Sequence, residues 1–151
     1  MNLFNDSGMR EITEELVLNK CIPILGVCVG MQMMAETSEE GECDGLGWIK
    51  GNVVKFKTNE LDEGAPMPHM GWNTVSAESD HELLSGLQNS RFYFLHSYYM
   101  QPENYEYILS KTYYGKSFCS IVKKNNFLGM QCHPEKSHDS GIQFLSNFAK
   151  F

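Results

Sequence analysis

The chain has 151 residues, 42% hydrophobic and 21% charged, enough to bury a sizeable core in one domain spanning residues 1–151. Nineteen acids against twelve bases leave a net charge of −7, which speaks against a nucleic-acid partner, since that would call for a basic face. Five cysteines (Cys21, Cys28, Cys43, Cys119 and Cys132) form no CxxC pair and match no zinc-ligand spacing, so a reducing, cytoplasmic setting with no metal is expected. The first residues resemble neither a signal peptide nor a basic leader, and no apolar run is long enough to span a membrane.

Residues 9–19 set Ile12, Leu16 and Leu18 among Glu11, Glu14 and Glu15, a helical pattern that Asp6 or Ser7 can cap. Residues 22–27 are an apolar run that reads as a short buried strand. The strand stops at Cys28, which has Gly26 and Gly30 two residues to either side, and residues 31–36 then favour a helix. A strand, a sharp turn and a helix with a nucleophile at the apex make an elbow, here with Cys in place of Ser. Gly26 is expected to let neighbouring backbone come close, Gly30 to leave room where helix meets strand, and the apex itself to be strained. The helix start beneath the sulfur is expected to favour thiolate over thiol.

Residues 37–45 read as a polar, acidic loop, and residues 47–56 as a strand, a turn or bulge at Gly51, and a second strand. Residues 57–65 are polar loop. Pro66 and Pro68, with His69, Gly71 and Trp72, then lead into a short strand. Residues 81–87 suggest a short helix, and residues 91–99 a single aromatic strand. Further strands are expected at 107–109, at 118–122 and, after an Asn125-Asn126 turn, at 128–132. Asp139 or Ser140 can cap a last helix over 141–149, whose Ile142, Leu145 and Phe148 recur at spacing three. Helix, buried strand and helix in succession suggest an α/β fold built on a parallel sheet.

A nucleophilic cysteine needs a base, and the base needs a third group to orient it. His133 and Glu135 are two apart, so in extended backbone they project to one side, and Pro134 is expected to hold that stretch extended. Alone, a His-x-Glu pair describes many solvated turns. With the elbow, Cys28, His133 and Glu135 supply the three roles.

Gly26-Val27-Cys28-Val29-Gly30-Met31-Gln32 together with His133-Pro134-Glu135 resembles the class I glutamine amidotransferases. Within them, Pro68-His69-Met70-Gly71-Trp72-Asn73, Tyr93-Phe94-Leu95-His96-Ser97-Tyr98-Tyr99 and His133-Pro134-Glu135-Lys136-Ser137 look like the glutaminase subunits of imidazole glycerol phosphate synthase, a histidine-pathway enzyme. The resemblance implies a flavodoxin-like α/β fold with a mostly parallel central sheet. It implies hydrolysis of L-glutamine at Cys28 without a cofactor, and ammonia passed to a separate barrel-shaped cyclase subunit in a heterodimer. By the same resemblance Gln32 helps hold the substrate glutamine. His96, Ser97 and Tyr98 cradle its amino and carboxylate ends. His69, Met70, Gly71, Trp72 and Asn73 face the partner and the ammonia passage.

The chain departs from that pattern at its start. The family has two strands, a helix and a glycine-rich loop, which supplies oxyanion donors, before a segment like residues 4–9; here only Met1-Asn2-Leu3 precede Phe4. The first strands and that loop are therefore expected to be missing, which leaves open a non-catalytic chain that keeps only a partner-binding surface. Gly47-Trp48-Ile49 and Ser137-His138 also resemble a branch that passes ammonia to a sugar amidotransferase in surface-polysaccharide synthesis, which leaves the acceptor open.

Overall fold

The computed structural model describes residues 1–151. Two short helices open the chain, α1 (Asn2–Asp6) and α2 (Met9–Glu14). Ser7 Oγ accepts from the Met9 N–H at 3.2 Å, as its position before the helix suggests. The helix expected over residues 9–19 is present, but Glu15–Asn19 is widened to π geometry, with the Lys20 N–H reaching back five residues to the Glu15 carbonyl. The elbow follows as β1 (Ile24–Val27), Cys28 and α3 (Val29–Met33).

Beyond the elbow the expected loop over 37–45 contains two short paired strands, β2 (Thr37–Ser38) and β3 (Cys43–Asp44). The strand expected at residues 47–50 is not formed. That stretch instead caps α3: the N–H groups of Leu46, Gly47 and Ile49 bond to the carbonyls of Met33, Ala35 and Met34. A helix end leaves its last carbonyls unpaired, and this demand overrides the strand propensity of Trp48 and Ile49, which are buried all the same. Only β4 (Gly51–Lys55) remains of the predicted pair.

Next come β5 (His69–Thr74), β6 (Ser76–Ala77) and a 3-10 turn, Glu82–Leu84, where a short helix was expected. The single aromatic strand over 91–99 is two strands, β7 (Arg91–His96) and β8 (Tyr98–Pro102). They join different sheets. β7 pairs with β5 and β8 with β4, and Ser97 between them accepts from the Phe56 N–H. The chain ends with β9 (Ile108–Tyr114), β10 (Lys116–Lys124), β11 (Phe127–Met130), a 3-10 turn at Pro134–Lys136 and α4 (His138–Phe148). α4 begins earlier than Asp139 or Ser140 would allow as caps; Ser137 takes the cap position.

The main sheet runs β1-β11-β10-β9-β6. Its only parallel pair is β1 with β11, so the expected mostly parallel sheet is a mixed one. The cause is local: β9, β10 and β11 are joined by tight turns at Gly115 and at Asn125-Asn126, which reverse the chain and leave only antiparallel pairing. A bulge between Cys119 and Ile121 adds one residue, so that Phe118 and Ile121 share a face. That face carries the larger core cluster, with Phe92, Phe94, Leu128, Met130 and Phe144 of α4. The opposite face carries Met31, Met34, Val53, Met100, Val122 and Phe127 beneath α3. No helix is long and apolar enough to cross a membrane.

Candidate active site

Cys28 lies where β1 ends, and its N–H continues the β1–β11 ladder by bonding to the Met130 carbonyl at 2.7 Å. Its backbone is at φ 50°, ψ −107°, a region L-residues avoid, so the expected strain is present at the apex. The glycines divide the work differently from expectation. A Cβ on Gly26 would lie 2.5 Å from the Gly30 carbonyl carbon, so only glycine lets strand and helix approach so closely. A Cβ on Gly30 would meet nothing within 4 Å, so Gly30 is not what makes the room.

The sulfur is half-buried. It donates to the Leu95 carbonyl at 3.9 Å and receives the Gln131 Nε2–H at 3.5 Å. Burial pushes the thiol pKa up. The Val29 N–H and Gln131 oppose that shift, while Glu40 and Glu135 add to it. The expected thiolate-favouring effect of the helix start is therefore outweighed: α3 has only five residues, and its dipole is too small to repay the lost hydration.

Because β1 and β11 run side by side in parallel, the segment after β11 emerges beside Cys28. His133 donates from Nδ1 to Glu135 Oε1 at 2.7 Å, so the orienting pair forms. It forms on a 3-10 turn rather than on the extended backbone expected. Pro134 occupies the first position of that turn, where its missing N–H has no cost. His133 is also fixed by a backbone bond to the Tyr93 carbonyl at 2.8 Å. Ser137 Oγ ties the turn further, receiving the Tyr93 N–H at 3.0 Å and donating to the His133 carbonyl. Gly141 on α4 rests against the Pro134 carbonyl where no Cβ would fit. His133 Nε2 makes no hydrogen bond within the chain, and none joins His133 to Cys28.

Gln32 is buried on α3. Its Nε2 donates to the Tyr98 carbonyl at 3.0 Å and to Gln131 Oε1 at 3.1 Å, leaving its Oε1 without a bond. The same Tyr98 carbonyl fixes the tautomers of two buried histidines. It can only accept, so His96 Nδ1 carries a proton and donates to it at 2.7 Å. His96 Nε2 then accepts from His69 Nδ1 at 3.0 Å, and His69 Nε2 accepts from Asn73 Nδ2 at 3.2 Å. Burial holds both rings neutral, with His69 pushed down to about 4 and His96 to about 3.

Both His96 nitrogens are thus occupied, and His96 serves the Ser97-Tyr98 segment rather than reaching open space. Among residues 69–73 the strand alternates: His69 is buried, while Met70 and Trp72 are exposed on β5 beside Leu95 of β7. Trp72 stacks on His138. Of the residues that suggested a second acceptor, Trp48 and Ile49 lie in the core and Ser137 is tied to His133. Gln131 was not singled out by sequence reasoning. The signal was there, since it stands two residues before His133 at the end of a wholly buried strand.

A cysteine on a strained elbow beside an oriented His–Glu pair is equipped for covalent acyl transfer. Residues 5–150 match the family described as Glutamine amidotransferase class-I. The chain belongs to that family. It is 47% identical to the imidazole glycerol phosphate synthase subunit HisH of Leptospira borgpetersenii over 150 residues, which cover 99% of the chain and 74% of the relative. It is also 47% identical to the subunit HisH of Bdellovibrio bacteriovorus, with the same coverage. The HisH subunits are thus the particular members that the chain resembles. Two solved structures share the fold. One is a glutamine amidotransferase at TM-score 0.69 and 15% identity, covering 98% of this chain and 72% of that one. The other is a glutamine amidotransferase from Thermotoga maritima at TM-score 0.58 and 19% identity, covering 97% and 54%.

Proposed function

We propose that the chain is the glutaminase subunit of an imidazole glycerol phosphate synthase, hydrolysing L-glutamine to glutamate and ammonia for a cyclase subunit in histidine biosynthesis. The observation that carries this reading is the juxtaposition of Cys28, at the end of β1, with the His133–Glu135 pair beyond the parallel neighbour β11.

His133 Nε2 takes the thiol proton, with Glu135 fixing the tautomer that leaves this nitrogen free. The thiolate attacks the side-chain amide carbon of glutamine. The amide nitrogen takes the proton from His133 and leaves as ammonia, giving a glutamyl thioester. Water, deprotonated by the same His133, then releases glutamate and restores the thiol. The Cys28 N–H is committed to Met130, so it does not stabilise the oxyanion. The Val29 N–H, turned toward the sulfur, is the donor this chain offers, as elbows use the residue after the nucleophile. Gln32 Oε1 is free to accept from the substrate's amino group.

The exposed apolar row of Met70, Trp72 and Leu95 lies on β7, whose Leu95 carbonyl meets the Cys28 sulfur, and on its partner β5, and it fits a docking face for the barrel subunit. Five free thiols suit a cytoplasmic protein. The test is glutamate release from glutamine by the chain mixed with its cognate cyclase. Turnover that Cys28→Ser abolishes is expected. Absence of turnover, or turnover indifferent to that substitution, overturns the reading.

A further inference from the structure

Gln131 is fully buried, yet every polar atom of its side chain is used. The orientation of its amide follows from a carbonyl. Tyr98 O accepts only, so the Gln32 amide must turn its Nε2 toward it. That nitrogen also faces Gln131, which must answer with its Oε1 at 3.1 Å, because two amide nitrogens would both be donors. Gln131 Nε2 is thereby directed at Cys28 Sγ, 3.5 Å away. A flipped amide would break the bond to Gln32 and set an acceptor against the sulfur.

We infer that Gln131 is a positioning residue for Cys28: its N–H, aimed through Gln32 by the Tyr98 carbonyl, holds the sulfur at the elbow and favours its ionised form. This goes beyond the triad and rests on Cys28 being the nucleophile. The other groups that act on the sulfur are known. Glu40 after β2 and Glu135 on the 3-10 turn disfavour a negative sulfur, and the Val29 N–H favours one. Cys132 is buried nearby and His133 stands beyond it, next to Glu135. Gln131 is the only side chain that donates a hydrogen bond to the sulfur.

The test reads the thiol without glutamine. Iodoacetamide alkylation of Cys28 is followed by peptide mapping, which separates it from Cys21 and Cys43, across neutral to alkaline pH. Gln131→Met removes the donor at similar volume, and its profile should move up by about half to one pH unit, slowing alkylation below the midpoint about three- to tenfold. Gln131→Glu keeps the shape and the acceptor for Gln32 but turns an ionised carboxylate on the sulfur, so its profile should move further in the same direction. It also decides the question if the Met variant does not fold. A Glu variant matching wild type, or shifting less than a folded Met variant, overturns the inference, as does a folded Met variant with an unchanged profile. Cys28→Ser in the glutaminase assay judges the nucleophile separately, so either reading can fail alone.

Discussion

At the scale of single residues, the catalytic assignment turns on two protons. One sits on His133 Nδ1, held by Glu135; the other is the Cys28 thiol proton, kept in place by burial. On the proposed mechanism His133 moves a proton rather than holding substrate, so His133→Asn should lower glutamine turnover by about 10²- to 10⁴-fold with little change in KM. Glu135→Gln retains an acceptor for the Nδ1 proton but loses the charge, and should cost less than Glu135→Ala. Steady-state kinetics on the three variants checks the order; equal losses for Gln and Ala would mean that charge alone matters. The roles proposed for Cys28, His133 and Glu135 rest on residue type and spacing, and the structure adds the bond between His133 and Glu135. The Gln131 contact was less legible in the sequence, because a polar residue at a strand end has many uses until the third dimension supplies the sulfur.

At the scale of elements, the elbow depends on close backbone approach, and the two glycines of the motif predict opposite behaviour. Gly26→Ala forces a Cβ into the Gly30 and Met31 backbone, which cannot rotate away, and should destabilise the protein by about 1–3 kcal/mol. Gly30→Ala places its methyl in open space within a helix and should be neutral or stabilising by up to about 1 kcal/mol. Urea midpoints measure both, and similar losses would refute the packing argument. Strand existence was mostly readable from the alternation and aromatic content of β7, β8, β10 and β11. What sequence could not give was partnership. The break at Ser97 that hands the chain from one sheet to another, and the capping of α3 by residues 46–49, both answer hydrogen-bonding needs that arise only once distant segments meet.

At the scale of the whole molecule, the buried histidines make stability depend on pH in a definite direction. Both have folded pKa values lowered, to about 4 for His69 and about 3 for His96. As pH falls below the ordinary value of 6.5, the unfolded chain takes up these protons before the folded one does. Stability is therefore kept above that value and lost toward pH 4, by about 2.7 kcal/mol per pH unit where both rings contribute fully. Urea midpoints should fall between about pH 7 and about pH 5. A flat profile over that range would show that the pair is not buried neutral. The α/β class was visible from the order of elements, whereas the mixed sheet was not, because the short turns that reverse β9 to β11 outweigh the parallel habit of the helix-strand-helix start.

The carbonyl of Tyr98 accepts two hydrogen bonds, from His96 and from Gln32. An oxygen of this kind has two lone pairs, so its capacity is filled. One arm leads outward through His69 to Asn73 on β5, the other inward through Gln131 to the sulfur. The two arms share a saturated junction: a newcomer to that oxygen must evict one of them, and a pull that shortens one bond does so at the expense of the other.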